Sequence, residues 1–521
     1  MSLDPVTLQV MVGGLRAACD EMGALLIQAA HSANIKERHD CSTALFDPRG
    51  ELVMQAEHIP VHLGSMPEAV AAILDEQQLP DQSWILNDPY RGGTHLPDVT
   101  LITPIFRDAD LFAFAASRAH HADIGGPTPG GMPARSRTLQ EEGVVIPPTR
   151  VTPSVLEELA SRMRSPAQRL ADLRAQGAAN RVGALRLSEL ADAHGSAQLR
   201  AGMDEILAYA ERRTRAALEA LPDGTYRAED VLEDDARGAE RDVTLKVAAT
   251  VSGDSLTLDF DGTDRQVDGN LNCPLSVTKS AAFFAVRVLT DPDAPPSAGA
   301  YRPIEVRAPL GCLLNARFPA AVVAGNVETS SRVADLVIAA LADAREVPAQ
   351  GQGTMNNLTL AGKGFQRGDE RRRDRQVRLS DWTYYETLGG GQGACPDADG
   401  PSAIHVAMSN TLNTPVEALE TEFPLRVREL SVRKGSGGSG RHRGGEGLVR
   451  ELEALAPMRF TLISERRRRA PRGREGGGDG ATGRNLLNGE PLPSKAEGEL
   501  RSGDRLRIET PGGGGYGSVE P

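Results

Sequence analysis

The sequence predicts a multidomain α+β protein with mixed or antiparallel sheets, a helical scaffold and a β-rich, glycine-rich C-terminal part. Three observations predict it. Val99–Phe106 and Leu111–Ser117 are short apolar runs split by Arg107-Asp108-Ala109-Asp110, the pattern of a hairpin. Between residues 154 and 221, Leu156, Leu159, Met163, Leu170 and Leu173 recur mainly in threes and fours, the spacing of helices. From Val243-Thr244-Leu245-Lys246-Val247 onward the period changes to two, and glycine gathers beyond residue 430. At 521 residues the chain is too long for one core. The expected division is an α+β domain over 1–150, a helical scaffold over 151–223 and a β-rich domain over 224–320. An α/β segment over 321–429 packs on the first domain, and a glycine-rich β domain spans 430–521.

Taken in order, Pro5 to Lys36 reads as one long helix. Pro5 suits its first turn, and Leu8, Val12, Leu15, Cys19, Met22 and Leu26 form its apolar stripe. Glu37–Asp47 and Gly50–Ala56 read as a hairpin turning at Asp47-Pro48-Arg49-Gly50. His58 and His62 flank Pro60 ahead of a helix from Met66 to Gln77. The helical scaffold is expected to break near Pro166, Gly177 and Gly195. Helices are expected over Ser276–Thr290 and Arg332–Ala344, the second capped by Thr329 and the serines after it. Arg466–Arg469 and Arg472 form a basic patch, read either as a solvated turn or as an anion or subunit contact. Gly512–Gly515, Tyr516 and Gly517 end the chain as a glycine tail.

Composition excludes several functions. A net charge of -13 and 4% aromatic residues argue against nucleic acid, which needs a concentrated basic face and stacking rings. No apolar run approaches membrane-spanning length. The five cysteines are odd in number and widely spaced, with no CxxC, which suits a reducing cytoplasm.

The histidines point to the site. Seven of ten (His31, His39, His58, His62, His95, His120 and His121) fall before residue 122. The hairpin returns the end of its second strand to the start of its first. His95 and Asp98 then come close to His120, His121 and Asp123. Imidazole and carboxylate are the ligands of a borderline divalent cation such as Mn²⁺, Zn²⁺ or Fe²⁺. The expected metal ligands are His95, Asp98 and His120, and three ligands with an open position describe a catalytic site. Asp40 stands where helix meets strand. It reads equally as a cap or solvated carboxylate and as a further metal ligand or base. Glu141 or Glu142 could reach the site as a base, although exposed glutamates are commoner.

Longer motifs carry a family resemblance over nearly the whole chain. They are Arg38–Ala44, Asn87–Asp98, His120–Gly126, Gly325–Ser330, Gly353–Asn357 and Gly512–Gly517. With these the chain resembles the hydantoinase B/oxoprolinase family, which includes B subunits of ATP-dependent hydantoinases, the matching half of 5-oxoprolinase and related subunits of acetone and acetophenone carboxylases. The family often has Arg-Arg before the aspartate, where this chain has Arg38-His39. The resemblance implies a heteromer. A hydantoinase A-type subunit with an actin-like ATPase fold uses ATP to phosphorylate a cyclic amide, and this chain completes the hydrolysis with its divalent metal. It implies His95, Asp98 and His120 as ligands, with Asp40 near the metal. Asp123 or Asp40 would accept or orient the proton, with His121 as a further catalytic candidate. The alternatives are a ketone carboxylase subunit and a non-catalytic, metal-bearing scaffold for the ATPase.

Overall fold

The computed structural model describes residues 4–56, 59–62, 64–233, 241–364 and 381–519. The fold is α+β, with helices and several antiparallel or mixed sheets. Among the described residues, no helix is long and apolar enough to cross a membrane.

The first sheet carries the site. Its strands are β1 (Cys41–Phe46), β2 (Leu52–Ala56), β3 (Trp84–Leu86), β4 (Asp98–Arg107), β5 (Asp110–His120) and β6 (Thr149–Arg150), in the order β2-β1-β5-β4-β3-β6. Both faces are covered, so adjacent residues serve different cores. Leu45, Phe112 and Ala115 pack with Leu15, Met22 and Leu26 of the helix Pro5–Ala29. Phe46, Phe114 and Ala116 pack with Met66 and Val70 on the opposite face.

Asp4 caps the first helix by accepting the Val6 and Thr7 N–H groups, and Pro5 occupies its first turn. The helix ends at Ala29 rather than running to Lys36, and a separate turn spans Ala33–Lys36. The break has a tertiary cause. Asp172 accepts the N–H groups of His31 and Ser32 at 2.7 and 3.1 Å, holding the chain out of the helical path.

The scaffold comprises the helices Pro153–Ser161, Pro166–His194 and Ser196–Glu219. Breaks fall at Pro166 and Gly195, but the middle helix runs through Gly177. One internal glycine costs about 1 kcal/mol. Docking outweighs it: Leu173, Gln176, Ala179 and Asn180 are buried, and the two amides donate to Val99 O and Leu101 O of β4.

A second sheet joins Gly224–Leu232, Val243–Ser252 and Ser255–Asp259 antiparallel, then Ile304–Arg307 parallel. Its helices are Leu275–Thr290 and Ser330–Ala340. Thr329, Ser330 and Ser331 are not the expected cap. They lie inside a helical run that begins with a π turn at Gly325–Thr329, and their hydroxyls bond back to Leu271 O, Asn326 O and Val327 O.

The third sheet joins Asn357–Gly362 and Trp382–Glu386 to Met458–Ile463 and Lys495–Leu500, so it draws strands from both sides of residue 430. A five-stranded sheet completes the C-terminal part. The expected basic patch is consumed internally. Arg466 is buried against Asp230 and Asp335, while Arg468 and Arg469 pair with Asp242.

The final glycines are buried rather than trailing. A Cβ on Gly513 would lie 2.0 Å from Gln392 O, whereas one on Gly13, exposed in the first helix, would meet nothing within 4 Å. Gly513→Ala is therefore expected to destabilise the protein by roughly 2 kcal/mol or more. Gly13→Ala should stabilise it by about 0.8–1 kcal/mol. Urea unfolding of the two variants against wild type measures both signs.

Candidate metal centre

The hairpin of β4 and β5 builds the site. Asp108 and Ala109 both take positive φ, 50° and 70°, as a tight primed turn requires. That turn, together with a one-residue β-bulge that leaves Phe112 unpaired between the Phe106–Leu111 and Ile105–Ala113 pairs, sets a register in which Asp98 lies directly opposite His120. His95 precedes β4 in the loop, and the Asp98 N–H donates to His95 O at 3.1 Å. Ligand atoms of His95, Asp98 and His120, all buried, lie within 4.8 Å of one another. The expected triad is assembled.

A fourth member was not foreseen from the sequence. His62 Nε2 lies 3.4 Å from Asp98 Oδ2, and His95 Nε2 lies 3.3 Å from the same oxygen. His62 Nδ1 meets Ser42 Oγ at 2.9 Å, fixing its ring. The crowding of early histidines was its only sequence signal. His58 lies outside the described residues.

Supporting contacts fix the remaining groups. Thr94 Oγ1 donates to Asp98 Oδ2 at 2.7 Å. Asn34 Nδ2 donates to His120 O at 2.7 Å and lies 3.0 Å from His120 Nδ1 and 3.4 Å from Asp40 Oδ2. The Tyr385 ring stacks on His120, with centroids 4.4 Å apart at 12°, and its hydroxyl donates to Asn357 Oδ1. Asn34, Tyr385 and Asn357 come from segments remote in sequence from the hairpin; the polar, glycine-rich character of Gln352–Asn357 and Tyr384–Gly393 suits a pocket wall but does not single out these side chains.

Asp40, His62, Asp98 and His120 line one side of a cavity of about 20 Å³. Asn326, Thr387, Ser409 and Thr411 provide polar groups on its remaining wall. That volume holds about one water-sized occupant. Burial drives the His62 and His120 imidazoles below their usual range. Burial works to raise the Asp98 carboxyl, but His95 and His62 outweigh it and hold it well below the carboxylate range. Asp40 is pushed up to about 7 by burial and by the charge of Asp98.

The donor set fits a divalent cation. His62 Nε2, both ring nitrogens of His95 and His120 Nε2 are buried without a hydrogen bond. Two of them approach Asp98 but miss hydrogen-bond alignment. Each orphaned buried polar group costs about 1–3 kcal/mol, a large charge against a net stability of roughly 5–15 kcal/mol. Lone pairs of neutral imidazoles beside an ionised carboxylate are what a cation requires.

Two expected catalytic groups are not among the residues lining the cavity. His121 follows His120 and points to the other face, where its Nε2 meets Gln176 Oε1 at 3.0 Å. Asp123 is held by the N–H groups of Gly125, Gly130 and Arg164 and by the Arg164 guanidinium. Glu141 is exposed and accepts from Arg137 and Thr138. Glu142 is buried, but it accepts from Val322 N, Val323 N and Ser136 Oγ, bracing the segment before the π turn.

The model of the hydantoinase B/oxoprolinase family matches residues 4–519. The chain belongs to the hydantoinase B/oxoprolinase family. It is 32% identical to the B subunit of a putative D-/L-hydantoinase from a Pseudomonas species, over 99% of this chain and 90% of that one. It is 36% identical to a 5-oxoprolinase of Dictyostelium discoideum over 99% of this chain, but spans only 41% of that protein. Among solved structures, the ATP-dependent caprolactamase from Pseudomonas jessenii shares the fold with a TM-score of 0.89 and 28% identity, covering 99% of this chain and 92% of the other. The hydantoinase subunit and the caprolactamase chain thus match this chain over nearly their whole lengths, whereas the 5-oxoprolinase is more than twice as long.

Glu142 yields a test of the frame around the site. Burial pushes its carboxyl up to about 8 despite three donors that favour the charged form. A folded-state value above the unfolded one means that the folded protein binds more protons between about pH 4.5 and 8. Stability then falls as pH rises through that window, by up to about 1.4 kcal/mol per unit. Glu142→Gln should flatten this slope, read as the change in unfolding free energy from pH 5 to 8.

Proposed function

We propose that this chain is the B subunit of an ATP-dependent cyclic amidohydrolase of the hydantoinase/5-oxoprolinase type. One observation carries the reading: a buried carboxylate and orphaned imidazole nitrogens converge on one small cavity. Relatives named as 5-oxoprolinase, hydantoinase and caprolactamase all point to cyclic amide substrates. The 5-oxoprolinase carries more than twice this chain's length, which supports a separate hydantoinase A-type ATPase subunit as partner here.

Amide resonance makes a lactam or cyclic ureide slow to hydrolyse. The partner's transfer of a phosphoryl group from ATP to the carbonyl oxygen gives an imidate-like carbon with a good leaving group. His95, Asp98 and His120 would hold a divalent cation, Mn²⁺, Zn²⁺ or Fe²⁺. When bound, the cation supplies a strong nucleophile from water near neutral pH. Asp40 is the group placed to take that water's proton, because its carboxyl lines the cavity beside Asp98 and burial favours its protonated form. Asp123 and His121 are engaged elsewhere, so the proton is assigned to Asp40. Thr94 holds Asp98 with His62 beside it, and Tyr385 and Asn34 hold the His120 ring. Water adds to the carbon, the C–N bond breaks and the ring nitrogen takes a proton. The product of that cleavage is an acyl phosphate, and a second water then displaces phosphate from it, giving the ring-opened amino acid or ureido acid.

His95→Ala and His120→Ala are expected to remove bound metal and turnover together while leaving the fold intact. His62→Ala, which acts through Asp98, should weaken metal binding only about 10–100-fold. Metal content, circular dichroism and ATP-dependent ring opening with the ATPase partner measure these, using a panel of hydantoins, 5-oxoproline and other lactams. Full turnover in either metal-free variant rejects the reading.

A further inference from the structure

The π turn Gly325–Thr329 delivers a side chain that the steps above do not use. Asn326 is 3% exposed and lines the same cavity as Asp98 and His120. Its Oδ1 is buried and accepts no hydrogen bond. The backbone around it is fixed from several sides. Asn326 N donates to Val322 O, Asn326 O accepts from Ser330 Oγ, and Gly325 is pressed so close that a Cβ would fall 1.9 Å from Asn272 O. π turns inside helices concentrate at functional sites. A buried amide oxygen held without a partner costs about 1–3 kcal/mol, so its place in the cavity wall calls for a ligand.

We propose that Asn326 recognises the N–C–O edge of a cis amide in the substrate, an inference that rests on the cyclic-amide reading above and names its specificity residue. A carboxamide presents one C=O acceptor beside N–H donors in a plane. A cis amide presents the complementary pair, N–H and C=O on the same edge, so two parallel hydrogen bonds form. Small rings force their amides cis, whereas an open-chain secondary amide is trans and adopts the cis form only at a cost of about 2.5–4 kcal/mol. The pairing therefore selects rings over linear peptides and amides. Once the exocyclic oxygen carries the phosphoryl group, Oδ1 holds the proton on the ring nitrogen, which keeps the adjacent carbon electrophilic. Asn326 touches substrate, so it is a binding and polarising group rather than a support for the cation. Val327, Met355 and Met408 line the cavity beside it. At about 20 Å³ the cavity must enlarge to admit a lactam ring, and the two methionines, unbranched and adaptable, are the part of its wall that can move aside.

The test uses 2-pyrrolidinone and N-methyl-2-pyrrolidinone, which share a ring but differ in the N–H. Saturation-transfer NMR on the full chain compares wild type, Asn326→Leu and Asn326→Ala, with thermal melting as the fold control. The expected result is that 2-pyrrolidinone binds wild type and weakens roughly tenfold in both variants. The N-methyl analogue should bind poorly to all three. If neither variant folds, the comparison of the two rings on wild type decides. The inference is overturned if 2-pyrrolidinone does not bind wild type, if the variants bind it unchanged, or if the methylated ring binds wild type equally well. Asn326-dependent binding without ring opening in the assembled enzyme would reject the proposed reaction and leave this inference standing. Ring opening that ignores Asn326 would do the reverse.

Discussion

Asp98 facing His120 across the β4–β5 hairpin is the constraint on which the site depends. Side chains alternate along a strand, so a slip of one residue would turn His120 toward the scaffold helices and His121 into the cavity. The two-residue turn at Asp108-Ala109 and the bulge at Phe112 together fix the register that avoids that slip. The long docked helix Pro166–His194 reinforces it, because Gln176 bonds Val99 O, Ser117 O and His121 Nε2 at once. One amide thus reads the register on both strands and holds the wrong histidine away.

Around that hairpin the chain uses many polar side chains to hold the cavity wall in place. Tyr385 links the face of His120 to Asn357, and Asn357 Nδ2 donates to Glu328 Oε1 within the π turn. The turn that carries Asn326 is therefore tied to the ring that it faces. Behind it, Asp230, Asp335, Glu465, Arg332, Arg466 and Lys495 form a buried ion network joining the second sheet to the third. Buried ion pairs contribute little net stability, yet they are costly to break singly. This network acts as a specific clasp between layers that the site needs in fixed relation.

Much of this was legible in sequence because the information was local. Apolar runs of period two and a polar break gave the hairpin, and with it the meeting of His95, Asp98 and His120. Failures came where distant groups decided. The first helix stops at Ala29 because Asp172, far along the chain, takes its next N–H groups. Gly177 is helical because the sheet rewards the helix around it. Thr329 and Ser330 look like caps by type, but their hydroxyls serve carbonyls inside the run. The arginine cluster looked free because its carboxylates lie 131 to 236 residues upstream. His62 and Asn326 escaped notice because nothing in their own neighbourhoods encodes where they point.

The central claim is that His95, Asp98 and His120 together grip one cation. Anomalous diffraction from crystals of the purified protein, collected above and below the Mn, Fe and Zn absorption edges, tests it without reference to any substrate. The account predicts a single peak about 2.0–2.2 Å from an imidazole nitrogen of each histidine and from an Asp98 oxygen. Metal present in the protein with its peak elsewhere, or a metal-free protein that catalyses ring opening, would contradict it.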